Sequence, residues 1–407
     1  MTMRAYLTIF SAITAITLGA VATLNYVVDP YLMHQWDTPQ VQRLRPAREK
    51  LSPWGKTYAL ARYRPSVLYA GNSRTELGLP VQPALFGGKP VFNGALSGAS
   101  VGDAVALVRH AAMAGGGQRL DTVVWGIDAP SFSLDGGNTD FERDLVATDS
   151  FYFWRRGLID LKRALTIDMT MDSLRLLRGT FGQRCLSSLA RYGQRDERCV
   201  LDHVDGWGGT SGAIVPRLRE FIRAVGPTAE AMREFDVAVS GLCNAGTRVR
   251  LYINPTHAMS SDALYWSGKW PSMERWQRRL AELTHLRRTL GCDIRLFDFS
   301  GFNSITTEAI PQVSGDAVMR YYWEPSHYRV NVGRMILARL FGKQSYVSED
   351  FGVELTPSSL PAHQSAQRAL RDRYHQLHPV ETSLVVDVAT ASGATSTAQP
   401  FSQVRSN

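Results

Sequence analysis

Five short apolar runs alternate with longer segments of helical periodicity, and that alternation restricts the fold more than any other feature of the chain. The runs are Val67 to Ala70, Pro90 to Asn93, Thr122 to Ile127, Arg248 to Ile253 and Asp293 to Phe299. Val101 to Ala114 repeats apolar residues at Ala104, Val105, Val108, Ala111 and Ala112. Trp270 to Leu290 does the same at Trp276, Leu280, Leu283 and Leu286, with arginines on its other face. Asn331 to Phe341 reads as a further short helix. Strands separated by helices predict an α/β fold, a parallel sheet covered on both faces. The stretch 133–244 breaks the rhythm. It is largely helical, as in Phe151 to Leu165, Met169 to Phe181 and Ala213 to Val225, and reads as an insertion near one end of the sheet.

The N-terminus carries a second constraint. Ala5 to Val28 holds no charged residue, a length that suits a membrane-spanning helix. Ala20-Val21-Ala22 has the small-x-small form of a signal-peptide cleavage site, but the apolar run continues through Leu24, Tyr26, Val27 and Val28. The segment 1–28 is therefore read as an uncleaved anchor, and the rest of the chain as exported. Residues 29–64, punctuated by Pro30, Pro39, Pro46 and Pro53, read as a connector. The main domain spans 65–343. The extension 344–407 contains a polar helix at Leu360 to His378, and its Ser, Thr, Ala and Gly content predicts disorder from about residue 380.

The formal net charge is +8 and the pI about 9.4, which favours anionic partners. The basic residues are scattered and often adjoin acids, as in Arg195-Asp196-Glu197-Arg198, and no nucleic-acid motif is present. The four cysteines, Cys185, Cys199, Cys243 and Cys292, lack metal-ligand spacing. In an oxidising compartment they pair as Cys185 with Cys199 and Cys243 with Cys292, or remain four buried thiols. Neither a metal nor a cofactor is expected.

The chemistry-bearing residues lie where strands end. Ser73, in Gly71-Asn72-Ser73-Arg74, follows the first run, and glycine there permits a sharp turn. Ligands bind at the carboxyl ends of strands in open parallel sheets. In Trp323-Glu324-Pro325-Ser326-His327-Tyr328 a carboxylate precedes a histidine by three residues. Ser73 as nucleophile, His327 as base and Glu324 as its orienter meet the needs of covalent acyl transfer. Asn93-Gly94-Ala95-Leu96-Ser97-Gly98 ends the second run with small residues that expose backbone amides, candidates for oxyanion stabilisation. Asp128 ends the third run. Arg74 either binds an acidic sugar or pairs with Glu76. His257 reads as a loop histidine, Asp298 as a turn cap. Trp266, Trp270 and Trp276 serve either sugar stacking or packing.

These four blocks, in this order, resemble the SGNH/GDSL hydrolase superfamily. The resemblance covers about Val67 to Phe341 and leaves the helical insertion unmatched. It implies a three-layer αβα flavodoxin-like sheet and a serine mechanism through Ser73, His327 and Glu324. It implies oxyanion or substrate contacts from Asn93, Ala95, Gly98 and Asp128. Glutamate replaces the family's triad aspartate, Ala95 replaces a glycine, and Asp128 replaces an asparagine whose amide would donate to the oxyanion. A carboxylate cannot donate unless protonated. The anchored layout is similar to that of SGNH-type proteins of bacterial exopolysaccharide O-acetylation, including alginate acetylation. That similarity implies a polysaccharide substrate, an inner-membrane location with the domain in the periplasm, and a membrane-bound O-acyltransferase as partner. An esterase of the same fold and a non-catalytic polysaccharide-binding or assembly protein are the alternatives.

Overall fold

A computed structural model describes residues 2–34, 51–115, 119–134, 137, 140–149, 151–181, 191–311, 319–342 and 347–394. The five apolar runs become strands β1 (Val67–Ala70), β2 (Val91–Asn93), β3 (Thr122–Ile127), β4 (Arg248–Ile253) and β5 (Ile294–Asp298). Three shorter strands follow, β6 (Tyr322–Glu324), β7 (His327–Tyr328) and β8 (Val353–Glu354). The main sheet has the order β2-β1-β3-β4-β5-β8. Its first five strands are parallel and β8 is antiparallel at the edge, while β6 and β7 form a separate ribbon. The 2-1-3-4-5 order reverses direction between β1 and β3, the switch point at which such sheets bind ligands.

The helices in chain order are α1 (Met3–Val28), α2 (Gly55–Tyr63), α3 (Ser73–Gly78), α4 (Val101–Ala114), α5 (Tyr152–Ala164), α6 (Ile167–Leu177), α7 (Arg198–Asp205), α8 (Gly209–Arg223), α9 (Ala229–Asn244), α10 (Ala258–Trp266), α11 (Trp270–Thr289), α12 (Val330–Leu340), α13 (Leu360–Leu377) and α14 (Pro379–Ala391). The residues of β1 and β3 are buried on both faces, which is why those two strands read as continuous runs rather than alternating ones, whereas β4 and β5 carry Arg250 and Arg295. Trp125 of β3 meets Phe235 of α9 edge-on at 4.8 Å on one face. Tyr252 of β4 reaches the Thr75 hydroxyl of α3 at 2.8 Å on the other. Helix starts follow local chemistry. Ser100 and Asp103 form a capping box at α4, and Thr228 caps α9.

Three boundaries differ from the sequence reading. The insertion is narrower than 133–244, because α9 is the crossover into β4 and buries Phe235 and Val239 in the main core. The stretch 29–64 is not merely a connector. Within it α2 buries Tyr58, Ala59, Leu60 and even Lys56, and only 35–50 lie outside the described residues. Disorder does not begin near 380. Helix α14 buries Val385, Val388 and Ala389 and packs on α10, its apolar face masked in composition by neighbouring small residues. The rest of the expected tail, from 395, lies outside the described residues.

Helix α1 is long and apolar enough to cross a membrane, with a mean hydropathy of 2.0. Ala20-Val21-Ala22 lies inside this unbroken helix.

Cys243, in the last turn of α9, is disulfide-bonded to Cys292, just before β5. The other proposed pair lies outside the described residues, which exclude Cys185 and the Cys199 side chain. The bond closes a loop of 49 residues, so its loss frees considerable chain entropy in the unfolded state. Reduction, or Cys243→Ser, is expected to lower stability by about 2–4 kcal/mol. Urea denaturation with and without reductant checks this.

Candidate active site

Strand β1 delivers the chain to Gly71, whose φ of +143° belongs to glycine. A Cβ there would come within 2.7 Å of the Gly126 carbonyl oxygen. The Asn72 side chain then caps α3, its Oδ1 accepting from the Arg74 N–H at 3.1 Å. Ser73 is thus the first residue of a helix at the end of a central strand. It is partly exposed, while its neighbours Asn72 and Arg74 are buried.

The ribbon β6–β7 supplies the other two groups. Glu324 pairs with His327 across it, and Pro325-Ser326 make the turn. This explains why a spacing of three suffices to bring carboxylate and imidazole together. The turn is held by α10, where the His257 N–H and the Ser260 hydroxyl donate to the Pro325 carbonyl at 3.0 and 2.9 Å. His327 Nδ1 is hydrogen-bonded to Glu324 Oε1. His327 Nε2 lies 2.8 Å from Ser73 Oγ. The Ser326 N–H donates to Glu324 Oε2 at 2.7 Å, and Arg217 Nε lies 3.3 Å from Glu324 Oε1.

Electrostatics fix the protonation pattern. Burial pushes the Glu324 carboxyl up, but His327, Arg217 and the Ser326 amide outweigh it and hold the pKa at about 2. Burial pushes the His327 imidazole below its usual value, against the opposing pull of Glu324. At neutral pH a carboxylate therefore accepts from Nδ1–H, and Nε2 is left as an acceptor for the Ser73 hydroxyl. The arrangement can move a proton from serine to imidazole, with the Glu324 carboxylate placed beside the imidazolium that results.

Neither a protein-family model nor a curated protein matches this sequence. The site must speak through its own geometry.

That geometry brings Ser73, His327 and Glu324 together and assigns their expected neighbours different work. Asp128 faces no oxyanion position as a donor. Its carboxylate accepts from Arg74 Nη1 at 2.9 Å, Asn72 Nδ2 at 2.8 Å, the Ser131 hydroxyl at 3.0 Å and Asn254 Nδ2 at 3.2 Å. Arg74 does not pair with Glu76. Beyond Asp128 it donates to the Ser326 carbonyl at 3.1 Å and hydroxyl at 2.8 Å. The Ala95 N–H is already committed to Asn93 Oδ1 at 3.1 Å. Asn93 Nδ2 in turn donates to the Thr75 and Leu79 carbonyls at 3.0 and 3.3 Å, so Asn93 shapes the turn. Gly98 is exposed at φ +71°. Among the described residues no acceptor takes its N–H or that of Ser73.

Glu76 pairs instead with Lys56 Nζ at 2.7 Å, and Lys56 also donates to the Ala95 carbonyl. This buried pair braces the turn that ends in Gly98. Beside Asn72 and Asp128 opens a narrow crevice of about 20 Å³, room for little more than a water molecule, lined by Gly71, Ser100, Val101, Ile127 and Phe132 among others. The three tryptophans proposed for sugar stacking are core residues, none more than 6% exposed. His257 is a buried helix cap, its ring bonded to the Glu308 carbonyl.

Sequence reasoning missed Asn72, Asn254, Ser326 and Arg217. Asn254 carried a usable signal, since it ends β4 as Asp128 ends β3. Arg217, far away on α8, carried none.

Asp128→Asn separates two views of this residue. If an amide at 128 only restored an oxyanion donor, turnover would rise. The network predicts instead a loss of about 3 kcal/mol of stability, because the Arg74 charge loses its buried partner. Thermal denaturation of the variant, read with its esterase rate, distinguishes them.

Proposed function

We propose that this protein is a membrane-anchored, serine-dependent acyl-transfer enzyme that O-acylates, specifically O-acetylates, a cell-surface polysaccharide. The observation that carries the reading is the continuous hydrogen-bonded line from Ser73 Oγ through His327 to a buried, ionised Glu324. A binding module has no need of a serine aligned on a neutral imidazole.

The chemistry follows from the atoms. Ser73 Oγ attacks an acyl carbonyl while its proton passes to His327 Nε2. Imidazolium then forms against the Glu324 carboxylate, which stabilises it. The bond from the carbonyl carbon to the leaving group breaks, and His327 returns the proton to that group. An acyl-Ser73 ester remains. A sugar hydroxyl repeats the sequence in reverse, giving its proton to His327 and taking the acyl group. The N–H groups of Ser73 and Gly98 are the donors we assign to the developing oxyanion, because the Asn72 side-chain amide is taken by Asp128 and Ser131 and the Ala95 N–H by Asn93.

The finer fold assignment belongs to the same reading. The doubly wound strand order, the serine after β1 and the histidine just before α12 support an SGNH-type domain. Helix α1 supports single-pass anchoring in a bacterial inner membrane with the domain in the periplasm, and a disulfide fits that compartment. A membrane-bound O-acyltransferase would supply the acyl group across the membrane.

The test is hydrolysis of a chromogenic acetyl ester by the detergent-solubilised full chain, with and without an added oligosaccharide. Ser73→Ala and His327→Ala are each expected to lower kcat/KM by at least about 10³-fold. Acetylated oligosaccharide among the products establishes transfer. Ester cleavage that ignores the oligosaccharide marks an esterase, and no turnover above the Ser73→Ala background marks a binding protein.

A pH profile provides a second check. The base must be neutral to act, and burial lowers the His327 pKa. The acid limb of kcat/KM is therefore expected to fall below the ordinary histidine value of about 6.5. Glu324→Gln removes the group that raises this pKa. Its acid limb should move lower still while the rate falls by about 10³-fold or more.

A further inference from the structure

Helix α5 is amphipathic in the reverse of the usual sense. Its polar side faces the protein. Asp160 accepts from the Tyr58 hydroxyl, Arg156 lies over the Tyr58 ring at 3.6 Å, and Arg163 pairs with Glu142 at 2.6 Å while covering the Trp54 ring at 3.9 Å. Its apolar side faces outward. Phe151, just before the helix, then Trp154, Leu158, Leu161 and Leu165 recur every three or four residues, a continuous helical stripe. They are exposed by 73, 71, 51, 57 and 38%, and Ile167 at the start of α6 by 81%. Soluble surfaces rarely carry such a contiguous apolar patch without a partner.

The same two helices hold the end of α1. Asn25, fully buried, donates from Nδ2 to the Ala164 carbonyl and the Thr170 hydroxyl, each at 2.8 Å. Its Oδ1 accepts from the Ser173 hydroxyl at 2.8 Å. Val28 packs with Leu176 and Phe181. Among the described residues, contact with α1 is confined to about its last two turns, and residues 3–20 stand almost wholly exposed. That free part is roughly 27 Å long at 1.5 Å per residue. It nearly matches a hydrocarbon core of about 30 Å. The apolar stripe therefore begins at the level where α1 leaves the bilayer.

We infer that α5 and the start of α6 form a second membrane contact, lying in the phospholipid interface beside α1 with the stripe from Phe151 to Ile167 embedded. The inference rests on the reading of α1 as a membrane span and is independent of the acyl-transfer chemistry. A helix with aromatic and leucine side chains on one face and charges on the other is suited to that position. Here the charged face is neutralised by the protein instead of by water. The occupant is lipid rather than another protein because the stripe is continuous with a segment that lipid already covers.

The experiment reconstitutes the full chain alone into vesicles of phosphatidylethanolamine and phosphatidylglycerol, with and without brominated acyl chains. Tryptophan emission is compared with that of Trp154→Phe, a substitution at an exposed site that keeps the stripe apolar. The expected result is that Trp154, read as the difference between the two proteins, loses more than about half its emission in brominated lipid and shifts to the blue in either lipid. Alkaline extraction of the same vesicles reads the anchor separately. A chain that resists extraction while Trp154 emission is unquenched keeps its anchor and overturns the second contact, leaving the stripe to a protein partner. A chain that extracts overturns both.

Discussion

Ser73 and His327 are 254 residues apart in sequence and meet at 2.8 Å, and everything else about the site depends on holding that distance. Arg74 does much of the holding. Its guanidinium is fixed on one side by Asp128, at the end of β3, and on the other by Ser326, in the turn that carries His327. The residue next to the nucleophile is thus bonded to the residue next to the base. Burying these charges is costly, and the cost is offset only because the remaining hydrogen-bonding capacity is filled. Asp128 accepts four hydrogen bonds and Arg74 donates from both its Nε and terminal nitrogens. A neutral asparagine at 128 would serve an oxyanion but would leave this clamp without its charge partner.

The clamp and the proton relay use separate ion pairs, although the Arg74 charge reaches His327 and adds to the lowering of its pKa. Glu324 answers His327, with Arg217 as an additional cation, while Asp128 answers Arg74. Each carboxylate has its own partner, and neither competes for the other's. Burial then acts in the direction that the proposed mechanism needs. It lowers the affinity of His327 for a proton in the resting state, and the adjacent Glu324 carboxylate limits that lowering, so that the imidazole can still accept one from serine. Burial and the carboxylate oppose each other at His327, and burial is the larger effect.

The sheet was the most legible part of the fold, because strands buried on both faces must be uninterrupted apolar runs. All five lay within a residue of their structural bounds, and Val67–Ala70, Thr122–Ile127 and Arg248–Ile253 matched at both ends. The triad residues were legible for a related reason. Serine after a strand and a Glu-Pro-Ser-His turn are local patterns whose chemistry depends on short spacing. The supporting residues were not legible because their partners are remote. Nothing near Arg217 in sequence points to Glu324, and nothing near Asp128 distinguishes an oxyanion contact from a charge clamp. Small residues misled at both ends of the chain's organisation. They disguised α14 as a disordered tail, while the prolines of 29–64 disguised α2 as part of a linker.

Helix α2 joins the helices that hold the end of α1 to the site around Ser73. Residues two apart on an α-helix point to nearly opposite sides. On α2, Tyr58 faces α5, where it meets Asp160 and Arg156, while Lys56 faces the serine domain, where it meets Glu76 and the Ala95 carbonyl. Helix α2 therefore bridges the element that grips the end of α1 and the turn that presents the Gly98 amide. Its amine is buried and its charge is answered by Glu76, so the bridge has little freedom to slide. With α5 in the membrane interface, the height of Ser73 above the lipid is set by packed helices rather than by a flexible tether. A flexible tether would serve an enzyme that searches for soluble esters. A fixed height suits the proposed transfer, in which the acyl group comes from a donor embedded in the same membrane.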